Sequence, residues 1–194
     1  MKPETPCLRK SDWEVRRVSH STALELVRRL HYSKGGSNTA TFVHGLFRKG
    51  DDTKCYGVAW WLPPTRSAAE ARYDGDFREV LSLSRLAIEP DAPTNAATFL
   101  MMAGVRDIAK DGRFKCLLTY ADESQGHTGQ IYKASNWEPL GPTKPERMYL
   151  TADGVMVARK AGPRTRTHGE MLALGHRCVG LFRKQAFRMI LSPA

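Results

Sequence analysis

Leu117-Leu118-Thr119-Tyr120-Ala121 is an uncharged run of apolar, aromatic and β-branched residues, and Asp122-Glu123-Ser124-Gln125-Gly126 ends it at once. A run of that length and composition suits a covered strand. The period then changes. From His127 onward, His127, Ile131 and Ala134 fall on one helical face, while Thr128, Tyr132 and Ser135 fall on another. A strand that delivers a carboxylate into a polar loop and hands over to a helix is a unit of open α/β sheets, whose sites form where strands end and helices begin. Asp122 and Tyr132 are therefore the first candidate site residues. The alternative for Tyr132 is a ring anchored by its hydroxyl at the edge of the core.

The chain before this segment reads in the same way. Residues 13–19 alternate as a strand. Ser21 is the expected N-cap of a helix with an apolar stripe of Leu24, Val27 and Leu30; it ends at His31-Tyr32-Ser33, ahead of Lys34-Gly35-Gly36-Ser37-Asn38. Residues 41–47 and 55–62 form a hairpin about Lys49-Gly50-Asp51-Asp52. Val80 to Ile88 is a third core strand in which Leu81, Leu83, Arg85 and Ala87 are expected to face one way. Thr94 is the expected cap of a helix running to about Lys110. This order predicts a mixed α/β sheet flanked by helices. It spans residues 13–162, after a flexible arm over 1–12 and before a basic C-terminal extension over 163–194 that completes the domain.

At 194 residues, one domain with a sizeable core is the expectation. No long uncharged apolar run exists for a membrane span, and MKPETPCLRK has no apolar stretch for a secretory signal. Cys7, Cys55, Cys116 and Cys178 lack the paired spacing of zinc sites or of a disulfide framework, so a reduced cytoplasm is the expected compartment. Thirty Lys and Arg against twenty Asp and Glu give a net charge of +10. That excess attracts polyanions, and Arg16-Arg17, Arg28-Arg29, Arg159-Lys160, Arg164 to Arg166 and Arg183-Lys184 distribute it along the chain. No recognisable base-reading motif accompanies them.

The order of elements resembles the GCN5-related N-acetyltransferase (GNAT) superfamily. Ile131-Tyr132-Lys133-Ala134-Ser135-Asn136-Trp137, followed by Gly141, is similar to that superfamily's helix end, where a tyrosine often protonates the departing coenzyme A thiolate. The superfamily's Gly-rich pyrophosphate loop has a different counterpart here. Its place holds Pro90-Asp91-Ala92-Pro93-Thr94-Asn95-Ala96, with no glycine and one carboxylate, which counts against conventional acetyl-CoA binding.

His31-Tyr32-Ser33, Leu83-Ser84-Arg85-Leu86, Tyr120-Ala121-Asp122 and Ile131-Tyr132 together resemble a narrower family, the Mom DNA-modification proteins of bacteriophages. The resemblance implies conversion of adenine N6 in double-stranded DNA to a carbamoylmethyl (acetamido) derivative that protects DNA from restriction, in the host bacterial cytoplasm if the chain is phage-encoded. It implies functional roles for His31 and Tyr32, Arg85, Asp122 and Tyr132. Iron is proposed as a cofactor in the family, and His31, Tyr32 and Asp122 would be its ligands here; acetyl-CoA or another small molecule would be the donor.

Adenine's exocyclic amine is a weak nucleophile because its lone pair is delocalised into the ring, so Asp122 is the candidate for holding or deprotonating it. As a structural residue Asp122 would cap the following helix. His31 is a base, a donor to the incoming carbonyl, a metal ligand or a charge on a helix end. His31 and Tyr32 converge only if the helix frays, because adjacent helical residues diverge by about 100°. Arg85 in an apolar strand needs a partner: Asp122, or a substrate phosphate or carboxylate. Ser33, Ser84 and His127 complete the candidate substrate and DNA contacts. Tyr56, Trp60 and Trp61 read as core. Two other functions compete: a conventional GNAT acyltransferase using acetyl-CoA on a small amine or protein, and a non-catalytic basic DNA-binding protein.

Overall fold

The computed structural model describes residues 6–33, 35–36, 39–161 and 164–192. Outside that range lie residues 1–5 of the expected arm, Lys34, Ser37 and Asn38 of the glycine loop, and positions 162–163 and 193–194 of the basic extension. In chain order the elements are β1 (Trp13–Arg17), α1 (His20–Leu30), β2 (Phe42–Arg48), β3 (Gly57–Leu62), α2 (Arg66–Glu70), β4 (Val80–Ile88), α3 (Ala96–Asp111) and β5 (Cys116–Asp122). Then follow α4 (Gln130–Lys133), β6 (Glu138–Pro142), β7 (Glu146–Leu150), β8 (Met156–Ala158), β9 (Lys160–Ala161), β10 (Arg164–Thr165), α5 (His168–Ala173), β11 (Arg177–Phe182) and β12 (Lys184–Ile190). The central sheet has seven strands in the order β1-β2-β3-β4-β5-β12-β6, with β4 and β5 parallel and the β1-to-β4 pairs antiparallel. The expected mixed α/β sheet flanked by helices is what forms.

By contacts the chain divides into two compact units. The first comprises Met1–Thr119, Gln130–Pro139 and Phe187–Ala194. Its core follows from strand alternation: Trp60 and Trp61 are adjacent, so they face opposite sides of the sheet. Trp60 joins Ala23, Leu26 and Val27 of α1 with Val43, Val58 and Ala87. Trp61 faces α3, where Gly104 lets the helix approach; a Cβ there would stand 3.1 Å from Trp61 Nε1 and 3.0 Å from His44 Nδ1. The last turn of α1 is tied to the end of β4 by Arg29, whose guanidinium grips the buried Glu89 carboxylate.

The second unit comprises Tyr120–Gly129 and Leu140–Ala186. It contains a three-stranded antiparallel sheet ordered β11-β7-β8, the short β9–β10 pair and α5. Tyr149 is fully buried and its hydroxyl meets His168 Nδ1 at 2.7 Å, which seats α5 on this sheet.

Four local expectations are corrected. Ser19, not Ser21, caps α1: its backbone is extended and its hydroxyl accepts the Thr22 N–H at 3.2 Å. Asn95, not Thr94, precedes α3, because Thr94 is drawn into a bridge with Cys7 in which Leu8 N–H donates to Thr94 O at 3.0 Å and Thr94 N–H to Pro6 O at 3.1 Å. The helix with Tyr132 begins at Gln130, after left-handed Gly126 and Gly129, so His127 and Thr128 precede it. In β4, Leu83 pairs with Trp61 and Arg85 with Trp60, leaving Ser84 as an extra residue. This bulge resets the alternation, so Leu83 and Arg85 lie on opposite faces.

Cys116, the first residue of β5, is fully buried, and burial pushes its thiol up to about 11. The unfolded thiol ionises near 9.0, so the folded state holds the proton more tightly and this contribution to stability is lost as pH rises from 9.0 to about 11. In native protein at pH 8, exposed Cys7 should react with a thiol reagent at least tenfold faster than Cys116. Peptide mapping after timed labelling measures this, and equal rates would contradict the burial.

Candidate functional site

The candidate site residues of the first unit are arranged around the bulge at Ser84. β4 pairs with β5 from Val80↔Cys116 to Leu83↔Thr119, and among the described residues the ladder stops there although β4 continues to Ile88. Backbone groups released from a ladder need other partners. Thr119 Oγ1 donates to Leu83 O at 3.3 Å, and the Arg85 guanidinium donates to Ser84 O at 2.7 Å and Ser84 Oγ at 2.8 Å. Arg85 Nε also donates to Gly35 O at 2.9 Å, binding β4 to the loop after α1. That loop lies close: a Cβ on Gly36 would overlap the Trp60 ring. Burial lowers the Arg85 pKa, with nearby Tyr32 acting in the opposite direction.

His31 and Tyr32 do converge, for the reason expected. α1 ends at Leu30, His31 turns to extended backbone (φ −93°, ψ 135°), and the two rings stack at 4.4 Å with 28° between planes. Ser33 N–H donates to His31 Nδ1 at 3.2 Å, so Nδ1 is an acceptor and a neutral ring carries its proton on Nε2. His31 is thereby set up as a hydrogen-bond donor through Nε2. Tyr132 packs against Trp137 and Phe187, with ring centroids 5.8 and 5.2 Å away. Its hydroxyl meets Thr119, the last paired residue of β5, and burial raises its pKa, partly countered by Thr119. Ser84, Arg85, Thr119 and Tyr132 are thus joined through consecutive residues of β4, and Gly35 brings in the loop that carries His31, Tyr32 and Ser33.

Asp122 belongs to the second unit. It is 6% exposed and its Oδ1 accepts from Ser124 N at 3.0 Å and Ser124 Oγ at 2.6 Å, while Lys184 Nζ stands 3.4 Å from Oδ2. It caps the 3-10 turn Glu123–Gln125 rather than the helix after Gly126. Burial pushes its carboxyl up, but the Ser124 hydroxyl, Lys184 and the Ser124 amide outweigh this and hold it below the ordinary carboxylate value. Asp122 is therefore an anion built to accept hydrogen bonds. His127 is exposed, and its N–H donates to Asp122 O at 3.2 Å.

Glu123 is a positioning residue that the sequence presents only as part of a turn. Its Oε2 accepts the Arg183 N–H at 3.1 Å, its Oε1 accepts Gln185 Nε2 at 2.7 Å, and its own N–H donates to Arg183 O at 3.2 Å. The β11–β12 turn, with Lys184, is thereby clamped beside Asp122. The adjacent carboxylates Asp122-Glu123 are the signal for it. Next to Asp122 is a cavity of about 300 Å³, lined by Asp122, Lys144, Glu146, Met148, Phe182 and Lys184 among others.

The expected iron finds no prepared seat. Among the described residues no group of three or more His, Cys, Asp or Glu is gathered for a metal. The expected iron set of His31, Tyr32 and Asp122 therefore gains no support. At the β4–α3 loop the Ala92, Thr94 and Ala96 N–H groups donate to Glu89, Pro6 and Pro93 carbonyls, so they do not form a nest for a pyrophosphate.

The mixed seven-stranded sheet flanked by helices matches the fold of GNAT acetyltransferases. An N-acetyltransferase of Staphylococcus aureus is similar at 10% identity over 93% of this chain and 99% of its own, with a TM-score of 0.56. A Bacillus subtilis acetyltransferase in complex with CoA gives 9% identity, 93% and 99% coverage and a TM-score of 0.55. A GNAT-family acetyltransferase of Streptococcus pneumoniae gives 10%, 93%, 100% and 0.54. No curated protein matches the sequence. Within this fold the chain belongs to the Mom protein family, whose family model matches residues 12–191.

Asp122→Asn keeps the shape and removes the charge that Ser124 and Lys184 address. Hydrogen bonds to charged groups are worth about 1.5–3 kcal/mol, so the variant should be less stable at pH 7 by about 1–3 kcal/mol. Because the folded carboxyl ionises below its usual 3.8, that stability is present above 3.8 and lost as pH falls through the lower folded value. Denaturant unfolding at pH 7 and at pH 3 measures the gap. It should shrink at pH 3, and a constant gap would contradict the assignment.

Proposed function

We propose that this protein modifies DNA, attaching a carbamoylmethyl (acetamido) group to N6 of adenine in double-stranded DNA and so shielding it from restriction, as a phage-type activity. Mom-family membership over residues 12–191 carries the reading. The acetyltransferase fold supports its reaction class, transfer of a small carbon group to an amine.

The residues divide the work by chemistry. N6 attacks the methylene carbon of a carbamoylmethyl donor, the bond from that carbon to the donor's leaving group breaks as the N–C bond forms, and the N6 proton needs an acceptor. Asp122, held anionic by Ser124 and Lys184, is that acceptor. Tyr132, whose phenol burial keeps protonated, supplies a proton to the departing group. His31 donates through Nε2 to the carbonyl of the transferred group. Arg85 and Ser84 hold the bulged backbone and the Gly35 loop in register, and Ser33 fixes the His31 tautomer. Tyr32, 43% exposed, and exposed His127 meet the DNA.

The second reading is a conventional acyltransferase using acetyl-CoA, favoured by the fold relative solved with CoA. The β4–α3 loop counts against it, since it has no glycine and its Ala92, Thr94 and Ala96 N–H groups are committed to carbonyls. A third reading is a basic DNA-binding protein without catalysis, favoured by the net charge of +10.

Plasmid from cells expressing the protein should resist endonucleases that cut at adenine-containing sites, while empty-vector plasmid is cut. Asp122→Asn and Tyr132→Phe should lower the modification rate on the order of a hundredfold to ten-thousandfold, with DNA binding retained. Equal cutting of both plasmids would contradict the proposal, and full protection by either folded variant would remove that residue from the chemistry. Binding itself should be carried by the net charge of +10, with little sequence readout. Its affinity should fall steeply between low and high salt in an anisotropy titration, and a salt-independent affinity would contradict the electrostatic account.

A further inference from the structure

The cavity beside Asp122 lies wholly within the second unit and combines three chemistries. Met148 of β7 and Phe182, the last residue of β11, supply an apolar and aromatic wall. Asp122 and Lys184, 3.4 Å apart, present an acceptor next to a donor. Lys144 and Arg183, both exposed, place positive charge at its mouth. About 300 Å³ is at the lower end of the roughly 300–1,000 Å³ typical of small-ligand pockets.

The wall is built rather than incidental. β11 carries a register shift between Cys178 and Gly180, where Gly180 takes φ +135°, a conformation that side-chain-bearing residues rarely adopt. Bulges re-aim the residues that follow them. Here Phe182 comes to pair with Glu146, another cavity residue, and its ring rests over Gly180, 3.6 Å from where a Cβ would stand. The turn after Phe182 is the one that Glu123 clamps through Arg183 and Gln185. Asp122 and the aromatic wall are thus fixed by consecutive residues of one segment.

An aromatic face, an acceptor–donor pair and a cationic mouth match a nucleotide whose base carries an amine beside a ring nitrogen. Adenine has this pattern and thymine lacks it. A base reached by chemistry must first leave the duplex. We infer that this cavity receives the flipped-out adenine, stacked against Phe182, with N6 donating to Asp122, a ring nitrogen accepting from Lys184 and the adjoining phosphate at Lys144 and Arg183. The inference rests on the adenine-modification reading and adds the residues that seat the base.

The test is fluorescence anisotropy with the full chain on three duplexes: fully paired, with one unpaired adenine, and with one unpaired thymine. Wild type should prefer unpaired adenine over unpaired thymine, since only adenine offers the amine beside a ring nitrogen that Asp122 and Lys184 address, and over the paired duplex by about tenfold or more, which is what stacking on an aromatic side chain is worth. Phe182→Leu keeps an apolar side chain and removes the ring; it should lose most of this preference while its affinity for the paired duplex changes less than twofold. Phe182→Ala should lose all of it, and thermal unfolding verifies that both variants fold. No adenine preference in wild type, or full preference in folded Phe182→Leu, overturns the assignment. Wild type that selects unpaired adenine yet leaves plasmid adenine unmodified overturns the reaction and leaves the pocket standing.

Discussion

The extra residue at Ser84 is the constraint on which the functional half of the fold depends. Between Leu83, opposite Trp61, and Arg85, opposite Trp60, Ser84 has no partner in β3. A bulge bends its strand and raises its local twist, and the parallel ladder to β5 ends at this point, at Leu83 and Thr119. Several polar contacts of the first unit's candidate site answer backbone groups or side chains re-aimed there. Arg85 covers the Ser84 carbonyl, Thr119 covers Leu83, and Tyr132 reaches Thr119. The bulge also turns Arg85 to the α1 side, where the Gly35 carbonyl receives it.

In the second unit a carboxylate pair plays the equivalent part. Asp122 and Glu123 are neighbours with different duties, one buried and facing the cavity, the other exposed and clamping a turn. Burying the Asp122 charge would cost several kcal/mol if it stood alone. Two bonds from Ser124 and the Lys184 ammonium offset that cost, so the carboxylate stays ionised and directional.

Much of this was legible from residue order. Alternation and apolar runs located the β2–β3 hairpin, β4 and β5, and the glycine-rich stretch after α1 explained how His31 and Tyr32 come together. Trp60 and Trp61 are core, as their setting implied. What stayed hidden depends on pairing between distant segments. A bulge has no signature within its own strand, so alternation put Leu83 and Arg85 on one face. The Cys7–Thr94 bridge displaced the expected cap of α3 from eighty-seven positions away in sequence. Lys184 read as one member of a basic run until the fold put it against Asp122, and Phe182 carried no signal beyond its aromatic ring.

The proposed adenine modification requires an anionic acceptor, Asp122, at the exocyclic amine. Liquid chromatography and mass spectrometry of nucleosides digested from plasmid DNA of expressing cells tests that claim most directly. The account predicts a deoxyadenosine heavier by a carbamoylmethyl group, fragmenting to a base that retains the added mass, and absent with Asp122→Asn. Nucleosides identical to those of an empty-vector control, with the protein soluble and folded, would contradict it.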